Sequence, residues 1–147
     1  MTYNNLTKQY RRTNIETASK LDLIIMCYEK TIQLLKQSKE HFQKNEIEEK
    51  ARKMQKTLDI INELKGCLNI NEGGQIALNL DSIYTYLTKR LLLGDIKKNL
   101  SAIDECIGIL EELKSAWVEI SSTKSDEQVP VITDVEAMNR EGTRVAA

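Results

Sequence analysis

The sequence predicts an all-α fold: an antiparallel up-down four-helix bundle with a short N-terminal helix or strap and a mobile C-terminal tail. Three observations carry this expectation. Four successive stretches repeat apolar residues at alternating steps of three and four, the period of one helix face. The 147 residues include six Gly and one Pro, too few breakers for a sandwich or barrel of many short strands. The breaks between the four stretches are short, which leaves consecutive helices little choice but to run antiparallel. The chain suits a single domain with its own core, divided here into an N-terminal lid segment over 1–18, a bundle over 19–120 and a polar, disordered tail over 121–147.

The first helix is expected from about Ser19 to Gln43. A hydroxyl in Thr17-Ala-Ser-Lys can accept amide protons of the first turn, and Leu21, Ile25, Tyr28, Ile32, Leu35 and Phe42 form its apolar row, with Lys39 as a polar interruption. Asn45, followed three residues later by Glu48, reads as a reciprocal cap opening the second helix. Its row is Ile47, Ala51, Met54, Leu58, Ile61 and Leu68, with Leu64 beside it. Gly73-Gly74 is expected to open the third helix, with Ile76, Leu80, Ile83, Leu87 and Leu91 facing inward. Gly94-Asp95 reads as its end, Gly94 closing in the left-handed region and Asp95 capping the fourth helix. That last row runs Ile96, Leu100, Ile103, Ile107, Leu110 and Trp117, with Leu113 and Ile120 alongside. Helices of about 20 to 25 residues span ~30 Å or more at 1.5 Å per residue.

The flanks differ in character. Residues 1–18 carry Tyr3, Leu6, Tyr10 and Ile15, enough to dock but too little to fold alone. Residues 121–147 hold three basic and five acidic residues, a net of −2, and the single Pro130.

Composition excludes several functions. With 21 basic and 22 acidic residues the net charge is −1, so no one-signed field draws the chain to nucleic acid or an anionic membrane. One His leaves little for histidine-based metal or acid–base sites, and no Glu-x-x-His pair stands ready for a bundle metal centre. Neither a metal, a cofactor nor catalytic residues are therefore expected. Cys27, Cys67 and Cys106 are odd in number and far apart, which suits reduced, core-packed thiols in a cytoplasmic protein better than a disulfide framework. No apolar run approaches the ~20 residues of a membrane span, and the first residues lack a signal-peptide core.

Two features carry alternatives. His41, followed by Lys44, resembles part of a histidine phosphotransfer motif, although Gln43 and Asn45 stand where that family has an apolar residue and a Gly. A phosphotransfer bundle acting through His41 is thus the competing function. Tyr28, Tyr84, Tyr86 and Trp117 are each open between core packing and a partner-facing edge, because Tyr and Trp have an apolar body and a polar tip.

An ordered set of fragments then resembles a family. Tyr10, Asn14-Ile-Glu-Thr17-Ala18-Ser19 and Leu23-Ile-Ile-Met26-Cys27-Tyr28-Glu29 resemble the opening of the flagellin export chaperones of the FliS type. Ile60-Ile-Asn-Glu-Leu64, Gly73-Gly74-Gln-Ile-Ala-Leu-Asn79-Leu80, Tyr84-Thr-Tyr86, Arg90-Leu91 and Ala116-Trp117 continue the likeness in order, over roughly residues 10 to 118. Cys27 replaces the usual Leu, Lys30 the usual Gly, and Leu93-Gly94-Asp95 stands where Ala-Asn is common.

The resemblance implies a cytoplasmic, non-enzymatic bundle, monomeric or weakly dimeric. It would bind the disordered C-terminal segment of flagellin, prevent premature polymerisation and bring the cargo to the export gate, with flagellin regulators as further partners. Resting on that resemblance, the flagellin-binding groove is expected at Leu80, Tyr84, Tyr86, Arg90, Leu91 and Trp117, with Tyr10 and Ile15 in a movable lid.

Overall fold

The computed structural model describes residues 20–123, which form four helices: α1 (Lys20–Gln43), α2 (Ile47–Gly66), α3 (Ile70–Lys97) and α4 (Leu100–Thr123). The expected lid, with Tyr10 and Ile15, and the chain beyond 123 lie outside the described residues. Residues 121–123, assigned to the tail above, instead continue α4.

Cross-helix pairs fix the directions. Lys39 meets Asp104 at 2.8 Å and Lys114 meets Glu29 at 3.5 Å, so α1 and α4 run antiparallel. Lys50 pairs with Asp95, while Lys65 donates to Thr85 at 2.8 Å, so α2 and α3 do the same. Each helix packs on its neighbours in the ring α1–α2–α3–α4, which leaves α1 and α3 facing across the core. There the Tyr28 and Tyr84 hydroxyls share a hydrogen bond of 2.6 Å, both rings fully buried. Burial pushes the Tyr28 hydroxyl up to about 12, against the Tyr84 and Trp117 hydrogen bonds, and raises that of Tyr84 as well.

Two helix ends depart from the sequence reading. Asn45 does not cap α2. It adopts φ 59° and closes α1, with its own N–H donating to Phe42 O at 3.1 Å and the Glu46 N–H to His41 O at 2.9 Å. Lys98 repeats that closure at the end of α3 with φ 52°, and the Asn99 N–H donates to Gly94 O at 2.8 Å. Asn99 Oδ1 then accepts from the Ala102 N–H at 3.2 Å at the start of α4. The third helix therefore runs through Gly94-Asp95. Gly94 is buried because α4 crosses so near that a Cβ there would lie 3.2 Å from Ala102 Cβ, while Asp95 is drawn to Lys50. At its other end α3 opens at Ile70 rather than at Gly73-Gly74, and Gly74 turns the chain inside it. After an opening turn capped by Asn69, whose Oδ1 accepts from the Glu72 N–H at 3.1 Å, Gly74 turns the chain at φ 56°, ψ −135°. Residues with a Cβ avoid that region, and the long straight part of α3 follows it.

The inward phase also differs by about one position. In α2 the buried residues are Lys50, Met54, Thr57, Ile60, Ile61 and Leu64, whereas Ile47 and Ala51 are exposed. In α3, Ala77, Leu80, Tyr84, Leu87, Leu91 and Gly94 face inward, leaving Ile76 exposed and Ile83 half-buried. Ile96 belongs to α3 and is 79% exposed. The buried polar groups are answered locally. Thr31 Oγ1 donates to Cys27 O at 2.7 Å, Thr57 Oγ1 to Lys53 O at 2.9 Å, and Ser38 Oγ to Lys50 O at 3.3 Å. Lys50 lays its stem inside, its ammonium 4.7 Å from the Phe42 ring centre and 2.6 Å from Asp95 Oδ1.

Candidate functional site

The third helix is apolar on both sides. Its inner row, stepping 80, 84, 87 and 91, is buried. On the opposite arc Leu78, Tyr86, Leu93 and Ile96 are exposed, with Ile76 and Leu92 flanking them and Ser82 and Lys89 interleaved. A single bundle face needs one apolar stripe, and the second is surplus to the core. The expected groove therefore mixes two populations. Leu80, Tyr84 and Leu91 of α3 and Trp117 of α4 are core residues, because the 3.6-residue turn places each on the inward side of its helix. Tyr86, 45% exposed, and the half-buried Arg90 are the members that reach the surface.

Missed by the sequence reading were Ile76, Leu78, Leu92, Leu93 and Ile96 as surface residues. The signal was present in the run Leu91-Leu92-Leu93, since three consecutive apolar residues on a helix cover 200° of arc at ~100° each and cannot all face one core.

A polar clasp fixes the edge of this face. The Tyr86 hydroxyl donates to Glu105 Oε2 on α4, and Arg90 Nη2 donates to Glu105 Oε1 at 3.2 Å. The Tyr86 hydrogen bond, followed by that of Arg90, holds the Glu105 carboxyl below the usual carboxylate range. The same bond to Glu105 is the chief reason the Tyr86 hydroxyl is raised. Arg90 Nε is buried without an acceptor, so the guanidinium bonds Glu105 through one Nη only. The clasp holds the Tyr86 hydroxyl to α4 while the residue stays 45% exposed.

The histidine and the cysteines lie apart from the outer face of α3. His41 sits in the last turn of α1 with Nδ1 2.9 Å from Glu46 Oε1, at the turn into α2. All three cysteines are buried and none forms a disulfide. Burial pushes the Cys106 thiol up to about 12, so it carries no thiolate near neutral pH. Among the described residues no cluster of His, Cys, Asp or Glu could hold a metal ion, and no helix is long and apolar enough to cross a membrane. Grooves along the α1–α4 seam, lined by Ile32, Lys36, Glu111 and Lys114 among others, are open and charged.

The amino-acid sequence has relatives among known proteins. The family model described as flagellar protein FliS matches residues 3–124. The flagellar secretion chaperone FliS of Vibrio cholerae is 32% identical over 115 residues, covering 76% of this chain and 85% of the relative. That of Salmonella typhimurium is 31% identical over 123 residues, covering 80% and 91%. The flagellar secretion chaperone FliSB of Pseudomonas aeruginosa is 32% identical over 118 residues, covering 78% and 94%. A match that runs from the N-terminal segment to the end of α4, with relatives aligned over most of their length, places the chain in the FliS family of flagellar proteins.

Proposed function

We propose that this protein is a cytoplasmic export chaperone that binds the disordered C-terminal segment of flagellin, prevents its premature polymerisation and supports its delivery to the flagellar export apparatus. The observation that carries the reading is the second apolar face of α3, with Leu78, Tyr86, Leu93 and Ile96 exposed on a bundle whose core closes without them. Flagellin's C-terminal segment is amphipathic because it packs against neighbouring subunits in the filament. An amphipathic segment needs a complementary apolar stripe to fold on, and such helix-in-groove docking reads anchors at three- and four-residue spacing. Coupled folding would bury on the order of 1,000–3,000 Å² and give back part of the interaction energy in ordering the segment, which suits cargo that must be released.

The Tyr86–Glu105–Arg90 clasp supports the same reading, since a pinned tyrosine offers a wide apolar surface with little entropy to lose. Tyr10 and Ile15 complete the proposal as a lid that leaves when cargo binds. The role is one of binding, the protein acting as a monomer or weak homodimer, with the export gate and flagellin regulators as later partners.

Titration with a peptide of the flagellin C-terminus, beside light scattering of flagellin assembly, tests the function. Saturable binding at micromolar concentration with delayed assembly is expected. Absence of both would overturn the reading.

A further inference from the structure

Three donors converge on Glu105, whose carboxylate has two oxygens. Oε2 accepts from the Tyr86 hydroxyl, Oε1 accepts from Arg90 Nη2 at 3.2 Å, and Arg90 Nε is buried without an acceptor. The shortfall lies on one edge of the guanidinium. The Nε–H and an Nη2–H lie side by side there and form the fork that a carboxylate engages with two parallel hydrogen bonds. Glu105 already occupies the Nη2 half of this fork, while its other oxygen is held by Tyr86. A buried N–H without a partner costs at least as much as an ordinary hydrogen bond contributes, so closing the fork would offset the loss of the tyrosine bond.

The place of this cluster says what an exchange would serve. It joins α3 to α4 at the border of the outer face, with Tyr86 exposed and the Arg90 and Glu105 side chains 31% and 38% exposed. The apolar members of that face, Leu78, Leu93 and Ile96, have no hydrogen-bonding group. Apolar anchors alone discriminate weakly between segments of similar shape, whereas a polar group that must find its partner discriminates sharply. The Tyr86 hydroxyl is such a group, and in the free protein its partner is Glu105.

Resting on the reading of the outer face of α3 as the cargo surface, we propose that Tyr86 is its specificity-determining donor. When a segment docks, the Tyr86 hydroxyl passes from Glu105 to a neutral carbonyl of that segment, an Asn or Gln side chain or a free carbonyl at a helix end. Glu105 then closes on Nε and Nη2 of Arg90. The ring stays in place, since the exchange takes only a turn of the phenolic O–H and of the carboxylate. The acceptor is neutral because Glu105 remains beside the hydroxyl, where a second carboxylate would be repelled. Tyr86 touches the segment, and Arg90 and Glu105 are positioning residues.

NMR of the arginine Nε–H groups in isotope-labelled full-length protein tests the exchange, with the Arg90 signal assigned by its loss in Arg90→Lys. In the free wild type this signal is expected at the position of an unbonded guanidinium. Tyr86→Phe releases Glu105 without any ligand and should move the signal downfield, and adding Glu105→Ala should return it. Saturating the wild type with the flagellin C-terminal peptide should produce the same downfield shift. Tyr86→Phe should bind that peptide about fivefold more weakly, the worth of one net hydrogen bond. Backbone signals of α1 and α2 serve as the folding control in every variant. A signal that stays in place in Tyr86→Phe overturns the proposal, and so does one unmoved in the wild type with peptide bound. A peptide that does not bind overturns the flagellin reading instead, while the free-protein comparison still decides the exchange between Tyr86 and Arg90.

Discussion

Tyr84 and Tyr86 stand two residues apart on α3 and meet opposite fates, 1% and 45% exposed. The inner tyrosine ends on the Tyr28 hydroxyl across the core, and the outer one on Glu105 at the rim. The same residue type thus bridges two helices across the core on one face and is held at the surface on the other. What separates them is the angle of ~100° per residue and the position of the neighbouring helices. The inner face of α3 is part of the core, and the outer face is the surface on which the proposed recognition rests.

That contrast can be broken most readily at Leu91. Leu91→Ala removes a fully buried side chain from the inner row, and denaturant unfolding is expected to show a loss of about 2–5 kcal/mol. A loss below ~1 kcal/mol would mean that α3 does not seal the core. Next comes Tyr84→Phe, which deprives Tyr28 of its 2.6 Å partner and should lower stability by about 1–3 kcal/mol. Adding Tyr28→Phe to that variant removes the hydroxyl that has lost its Tyr84 partner but also takes its hydrogen bond from Trp117, so only a small part of the loss should return. A double-mutant cycle measures the difference.

The same pair predicts a pH dependence. With the Tyr28 hydroxyl at about 12 in the folded chain and near 10 when unfolded, the folded state holds its proton where the unfolded state has lost it. Stability is therefore full below pH 10 and falls as pH rises toward 12, by about 1.4 kcal/mol per unit at most for each such tyrosine. Urea midpoints of the wild type and the Tyr28→Phe, Tyr84→Phe variant across that range should converge as this contribution disappears from the wild type.

The smallest effect on stability is expected on the outer face. Leu93→Ser with Ile96→Ser should leave unfolding within about 0.5 kcal/mol, since both side chains are already exposed. Binding of the flagellin C-terminal peptide should nevertheless weaken at least tenfold, about 1.4 kcal/mol. Unaltered binding would move the contact surface away from α3. A stability loss equal to that of Leu91→Ala would assign the outer face to the core.

Much of this arrangement was legible before the structure. Four apolar rows, three short breaks and a scarcity of Gly and Pro specify a helical bundle, because burying four amphipathic stripes has few solutions. A break in the helical pattern at Gly73-Gly74 was also legible, although the structure starts the helix earlier, at Ile70, and turns it at Gly74. The choice of cap was harder. Asn45 suits the left-handed closing position as well as the N-cap, and the sequence offers no reason to prefer the closure that the contact between Lys98 Nζ and Asn45 Oδ1 accompanies. The candidate surface was read with least accuracy. Leu80, Tyr84, Leu91 and Trp117 carry the same apolar and aromatic signature as the exposed Leu78, Tyr86 and Leu93, and composition cannot distinguish inside from outside.

By itself the sequence determined the helical architecture, the reduced and histidine-poor chemistry, and the ordered fragments of a flagellar chaperone family. Those properties follow from local periodicity, residue identity and order along the chain. Only the tertiary structure decided that Lys50 and Thr57 turn inward while Ile47, Ile76 and Ile96 turn out. An apolar row fixes the rotation of a helix to within about one residue, and one residue is about 100° of arc. The last choice belongs to the neighbours: Asp95 and Phe42 hold the Lys50 ammonium, Lys53 O satisfies Thr57, and the close crossing of α4 at Gly94 sets how α3 lies.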